Sequence, residues 1–148
     1  MALILSVKTH PSLPPVENAY HHIVGASINY DGIAVCMIQS YKDAATRQAH
    51  KLAIADMATL QNDHAALHQA ILDAHKAKDE SAMTQAQLSL LSKEVEIKNK
   101  QKELESVAPF TGPTSTPELD ITGIQEVTRE DLYNAIKTLP EWADAEDA

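Results

Sequence analysis

Between about Thr59 and Val107 the chain has neither glycine nor proline and is dense in Ala, Leu, Gln, Lys and Glu. Glycine loosens a helix and proline breaks one, so a long run lacking both and filled with strong helix formers is constrained to be helical. Within it Leu60, His64, Leu67, Ile71 and Ala74 alternate four and three residues apart. Met83, Leu90, Ile97 and Leu104 follow, each seven apart. Both are seams of the kind that pair helices in coiled coils. At about 100° per residue the second stripe is rotated by roughly a quarter turn from the first. The jump falls at "KAKDESAM", where Asp79 or Ser81 is suited to cap a new helix. A helical hairpin is therefore expected in place of one rod of about 70 Å.

The flanks read as β. "ALILSV" is an opening strand, stopped by the prolines of "HPSLPP". "ENAYHHIVGASIN" and "IAVCMIQSY" follow, and Asp31-Gly32 between them predicts a hairpin with a primed turn. Tyr20, His22, Val24, Ala26 and Ile28 share one face of the first strand; Ile33, Val35, Met37 and Tyr41 share one face of the second. After the connector "APFTGPTSTPELD", Leu119 and Ile121 alternate as in a returning strand. "TREDLYNAIKTLP" then reads as a short helix capped by Thr128, ended by Pro140 and locked by Trp142 against the β part. The fold class is α+β. Residues 1–58 and 108–148 form a small antiparallel β head with a C-terminal helix, and residues 59–107 form an inserted helical arm.

Charge narrows the partners. A net charge of -9 leaves no basic surface for wrapping nucleic acid or lying on anionic lipid. Glu141, Asp144, Glu146 and Asp147 crowd the end of the sequence, which reads as a solvated tail. The single cysteine, Cys36, permits no internal disulfide and sits in the apolar run "IAVCMI" as a buried, inert thiol. No targeting segment or membrane-length apolar run is visible, so the protein is expected to stay soluble.

Histidine is the one feature that suggests chemistry. His64 and His68 have the i,i+4 spacing used by metal sites on helices, and His75 lies about 10 Å further along the axis than His68, beyond a shared ion. Zinc needs a third and usually a fourth ligand. In an antiparallel hairpin Glu94 faces His64, but the "HExxH" form is absent, with Ala65, Ala66 and Leu67 intervening. His64 and His68 thus read as polar positions of the seam, with no metal and no other cofactor assigned. His21 and His22 point to opposite faces of their strand and read as partly exposed. There is no glycine-rich phosphate loop and no "GxSxG" elbow, so no catalytic residue is assigned.

At both ends the chain resembles a group of small bacteriophage and prophage virion proteins. "ENAYHHIVG", "YDGIAVCMIQSYKDAATRQAHK" and the closing "LYNAIKTLPEWADAEDA" carry the likeness. The matching residues are Ala19, Tyr20, Ile23, Tyr41, Lys42, Asp43, Ala44 and Arg47, with Leu139, Pro140, Glu141, Trp142 and Asp147 at the end. The helical arm departs from the pattern, as an insertion where shorter relatives have a plain connection. The resemblance implies a non-enzymatic role in a virion, in tail, baseplate, neck or head decoration. A first helix of about twenty residues would leave the end of a second of about twenty-seven uncovered. Leu60, Leu67, Ile71, Met83, Leu90, Ile97, Leu104 and Trp142 are the residues expected at interfaces, with Leu88 and Val95 left over for a neighbour. The expected partners are further copies of the chain and other virion proteins. The alternative is a cytosolic coiled-coil adaptor or metal-responsive regulator using His64 and His68.

Overall fold

The computed structural model describes residues 1–7, 15–110, 116–122, 124 and 126–148; most of "HPSLPP" and residues 111–115 of the connector lie outside them. The chain is mixed α and β, with a curled five-stranded antiparallel sheet and three helices, two of them long. Its elements are β1 (Leu3–Val7), β2 (Val16–Ile28), β3 (Ile33–Tyr41), α1 (Ala44–Ala77), α2 (Glu80–Ser106), β4 (Glu118–Asp120), α3 (Arg129–Lys137), a 3₁₀ turn (Pro140–Trp142) and β5 (Glu146–Asp147). Two compact units result, Met1–Arg47 with Pro109–Ala148, and Gln48–Ala108.

The first unit is built on the sheet, in the order β4-β3-β2-β1-β5. β2 and β3 form the expected hairpin, but through a three-residue loop in place of a two-residue primed turn. Asn29 N–H donates to the Ile33 carbonyl, and Asn29 Oδ1 accepts from the Asp31 and Ile33 amides. Gly32, at φ 75°, supplies the left-handed residue this loop needs. A Cβ there would also meet Thr122 Oγ1 at 3.0 Å.

Burial selects the face opposite to the one richest in large apolar residues. Ala19, His21 and Ile23 of β2 point inward with Ala34, Cys36, Ile38 and Ser40 of β3, while Val24, Ile28 and Met37 are exposed. Leu3, Leu119, Ile121, Leu132, Tyr133, Ile136 and Trp142 complete this core. α3 is fixed by a capping box in which Thr128 and Asp131 satisfy each other's backbone N–H. Its Tyr133 Oη accepts the Ile23 N–H at 3.0 Å, beyond the last β1 partner of β2.

The acidic end is not a free tail. Glu146 and Asp147 pair with Ile4 and Leu3 as β5, and Asp147 meets Lys137 at 2.6 Å. Backbone pairing needs no particular side chains, and two carboxylates on an edge strand also discourage further strands from adding.

The second unit pairs α1 with α2. α1 starts at Ala44, well before the expected Thr59, because Asp43 Oδ1 accepts the Thr46 N–H and hydroxyl at 2.7 and 2.8 Å. Those hydrogen bonds hold the Asp43 carboxyl below its usual range. The helices run antiparallel: Lys93 reaches Asp63 at 3.4 Å, and Lys100, one heptad on, reaches Asp56, one heptad back, at 3.0 Å. The chain reverses at Lys78, with φ 57°, followed by Asp79, whose carboxylate caps α2 at Ala82 N–H. The Lys78 and Asp79 amides bond back to His75 and Ala74, closing α1 in the manner of a C-terminal glycine motif.

Lysine bears the steric cost of the left-handed region that glycine avoids. Lys78→Gly should therefore stabilise the helix pair by about 1 kcal/mol. Thermal or urea unfolding followed by helical circular dichroism checks this, and a lowered midpoint would contradict the assignment of the turn.

Candidate functional site

The residues expected at interfaces divide into two groups. On α1, Leu60, Leu67 and Ile71 are half-buried, in line with buried Ala53, Met57 and Ala74. On α2, Met83, Leu90, Ile97 and Leu104 are half-buried, and Ala86, Lys93 and Lys100 fill the alternate positions, followed by Val107 just past its end. The ion-pair register sets Leu60 level with Ile97 and Leu67 level with Leu90. The stripes therefore face each other within one chain. With 34 residues in α1 and 27 in α2, the end of α2 does not overhang a shorter partner. Ile97 and Leu104 are thus not the free strip expected from the sequence.

Lys93 and Lys100 make the seam only partly apolar. Their stems lie over it while the ammonium groups reach carboxylates at its margin. Hydrogen bonds to Glu96 and Asp63 hold Lys93 above its ordinary range, and Glu103 and Asp56 do the same for Lys100. Trp142 is fully buried and presents nothing to a partner. Its indole Nε1 has no acceptor among the described residues, so packing alone holds the ring, edge-on to His21 at 4.8 Å between centroids.

Opposite the seam, α2 exposes Leu88, Leu91 and Val95. Spacings of three and four put all three on one side of the helix. Leu91 belongs with the two residues that the sequence left over.

His64 and His68 do come together, with ring centroids 4.7 Å apart. Glu94 Oε1 lies 3.8 Å from His64 Nε2. Among the described residues no group of three or more His, Cys, Asp or Glu side chains could hold a metal ion.

A second histidine site was not legible in the sequence. His21 Nδ1 lies 2.7 Å from Ser40 Oγ, and Nε2 lies 3.4 Å from the Leu5 carbonyl. A neutral ring protonated on Nε2 satisfies both: it donates to Leu5 and accepts from the Ser40 hydroxyl. The pair has the composition of a nucleophile and its base. Yet His21 is 1% and Ser40 0% exposed, so no substrate reaches them. It is a buried polar clasp between β2 and β3. His21 is therefore not the partly exposed residue expected from the sequence.

Tyr20, Tyr41, Asp43 and Arg47 also meet. Arg47 lies over the Tyr20 ring at 5.7 Å, Tyr20 pairs with Tyr41 across the hairpin, and Asp43 caps α1. His22 Nδ1 is 3.2 Å from Tyr133 Oη, and burial, then the Arg47 charge, lowers its pKa. These groups tie the end of β3 to the start of α1. No family model, curated protein or solved structure matches this chain.

Burial lowers the pKa of His21 from 6.5, outweighing the bond to Leu5. Its neutral form is the one that folds, so its contribution to stability is complete above the unfolded value of about 6.5 and declines as pH falls toward the lower folded value. Urea unfolding between pH 7.5 and 5 should show that decline, and His21→Gln should make it shallower, leaving the share that His22 contributes, while lowering stability at pH 7.5. An unchanged slope in the variant would mean that another group is responsible.

Proposed function

We propose that the protein is a non-enzymatic structural component of a bacteriophage virion, in tail, baseplate, neck or head decoration. In this reading the sheet unit is a small β head that docks on other virion proteins. The α1–α2 unit is a coiled-coil arm inserted into it, and the chain acts as a homo-oligomer. The observation that carries the reading is what the resembling residues do. Tyr20, Asp43, Arg47 and Trp142 splice a sheet to a helix and fill a core, which serves a frame. Support for self-association comes from the apolar side chains left outside the seam on α2, since exposed apolar patches mark contact surfaces.

The expected outcome is that an antibody against the purified protein labels phage particles from an induced host culture, and that the protein sediments with intact particles. Recovery only in the soluble lysate, at particle titres where known virion proteins pellet, would overturn the virion reading.

The adaptor or metal-regulator alternative rests on the 4.7 Å approach of His64 and His68. His64→Gln with His68→Gln should leave the oligomeric state unchanged with and without zinc. A zinc-dependent sedimentation shift in the parent that disappears in the double variant would favour the regulator.

A further inference from the structure

Leu88, Leu91 and Val95 are 64%, 59% and 60% exposed, although α2 already spends its other side on α1. Charge along this outer face is ordered as far as Lys102; Glu105, on the same flank, lies past the stretch that Leu88, Leu91 and Val95 occupy. Glu80 lies at its N-terminal end, and Lys98 and Lys102 lie toward the other. None of the ion pairs among the described residues uses these three side chains.

That order selects a partner. In a parallel pairing of this face with itself, Glu80 would meet Glu80, and Lys98 and Lys102 would meet their own counterparts, setting like charges together. In an antiparallel pairing with its two-fold axis between Leu88 and Leu91, each Leu88 meets the other copy's Leu91. Thr84 then comes level with Val95, and Glu80 lies beside Lys98, twice over by symmetry. At about 100° per residue Glu80 and Lys98 project from the same flank of the helix, as such a cross-pair requires. On the other flank Ser81, Ser92 and Asn99 introduce no charge.

We propose that the outer face of α2 docks on the same face of a second copy, antiparallel, as an isologous two-fold contact. The inference rests on the reading of the chain as a self-associating structural protein, and supplies the surface for it. The four helices of two chains would then form one layer, α1-α2 against α2-α1, with three seams.

Sedimentation velocity over a concentration series tests this with the full chain. The parent should be a reversible dimer. Leu88→Lys with Leu91→Lys, at exposed positions outside the seam, should sediment as monomer with an unchanged helical circular-dichroism spectrum. Glu80→Lys should weaken the dimer about tenfold by turning two attractions into repulsions. Adding Lys98→Glu to that variant should restore the parental dissociation constant. A monomeric parent at every concentration would overturn both this contact and the self-association reading. A parent that assembles, with a leucine variant that assembles equally well, would overturn this contact and leave self-association standing. Loss of the dimer in the leucine variant without rescue by the charge swap would overturn the antiparallel register.

Discussion

The second unit depends on a seam that α1 and α2 close within one chain. Residues three and four apart on each helix face the other, so neither helix has to find a partner elsewhere to bury that stripe. Two lysines in the seam, Lys93 and Lys100, fix its register, because each can reach its carboxylates only when the helices are aligned as they are. The left-handed Lys78 makes the reversal short enough for that register to hold. With this side of α2 occupied internally, any assembly through the helices has to use a different face. On α2, Leu88, Leu91 and Val95 are the large apolar residues exposed there.

The sheet unit solves a different problem. Its hairpin carries apolar residues on both faces, and one of them has to be covered. The face that goes inside brings a histidine and a serine with it, and each satisfies the other in place. Had either been missing, the remaining group would stand as a buried donor or acceptor without a partner, a cost of about 1–3 kcal/mol. The same frame uses Tyr133 to accept an amide past the last β1 pairing of β2 and uses β5 to cover the edge of β1.

Helix composition, the reversal near Asp79, the β2–β3 hairpin and the Thr128 cap could all be read from the residues, because each is a local preference. The start of α1 could not. Ala44 to Ala58 are helix formers, but Leu52 and Ile54 lie off the seam and are exposed, which hides the period. Nor could the inward face of β2 and β3, since Ala34, Ser40 and His21 are buried by what lies across from them, not by their own hydrophobicity. β5 has no side-chain signal at all, being Glu-Asp paired through its backbone. At the candidate site, Leu88 and Val95 were legible as leftovers, while the covering of Ile97 and Leu104 depended on where α1 begins.

Whether the seam closes within one chain is the point on which the assignment of the outer face turns. Spin labels at exposed Thr59 and Asn99, on facing levels of the two helices, report it directly. Buried Cys36 stays out of reach of the label. The structure predicts a short distance, set by helices packed about 8–10 Å apart plus the label arms, that keeps its full amplitude when labelled chains are diluted into a large excess of unlabelled ones. A short distance that fades in proportion to dilution would show that the seam is shared between chains, and would contradict the account.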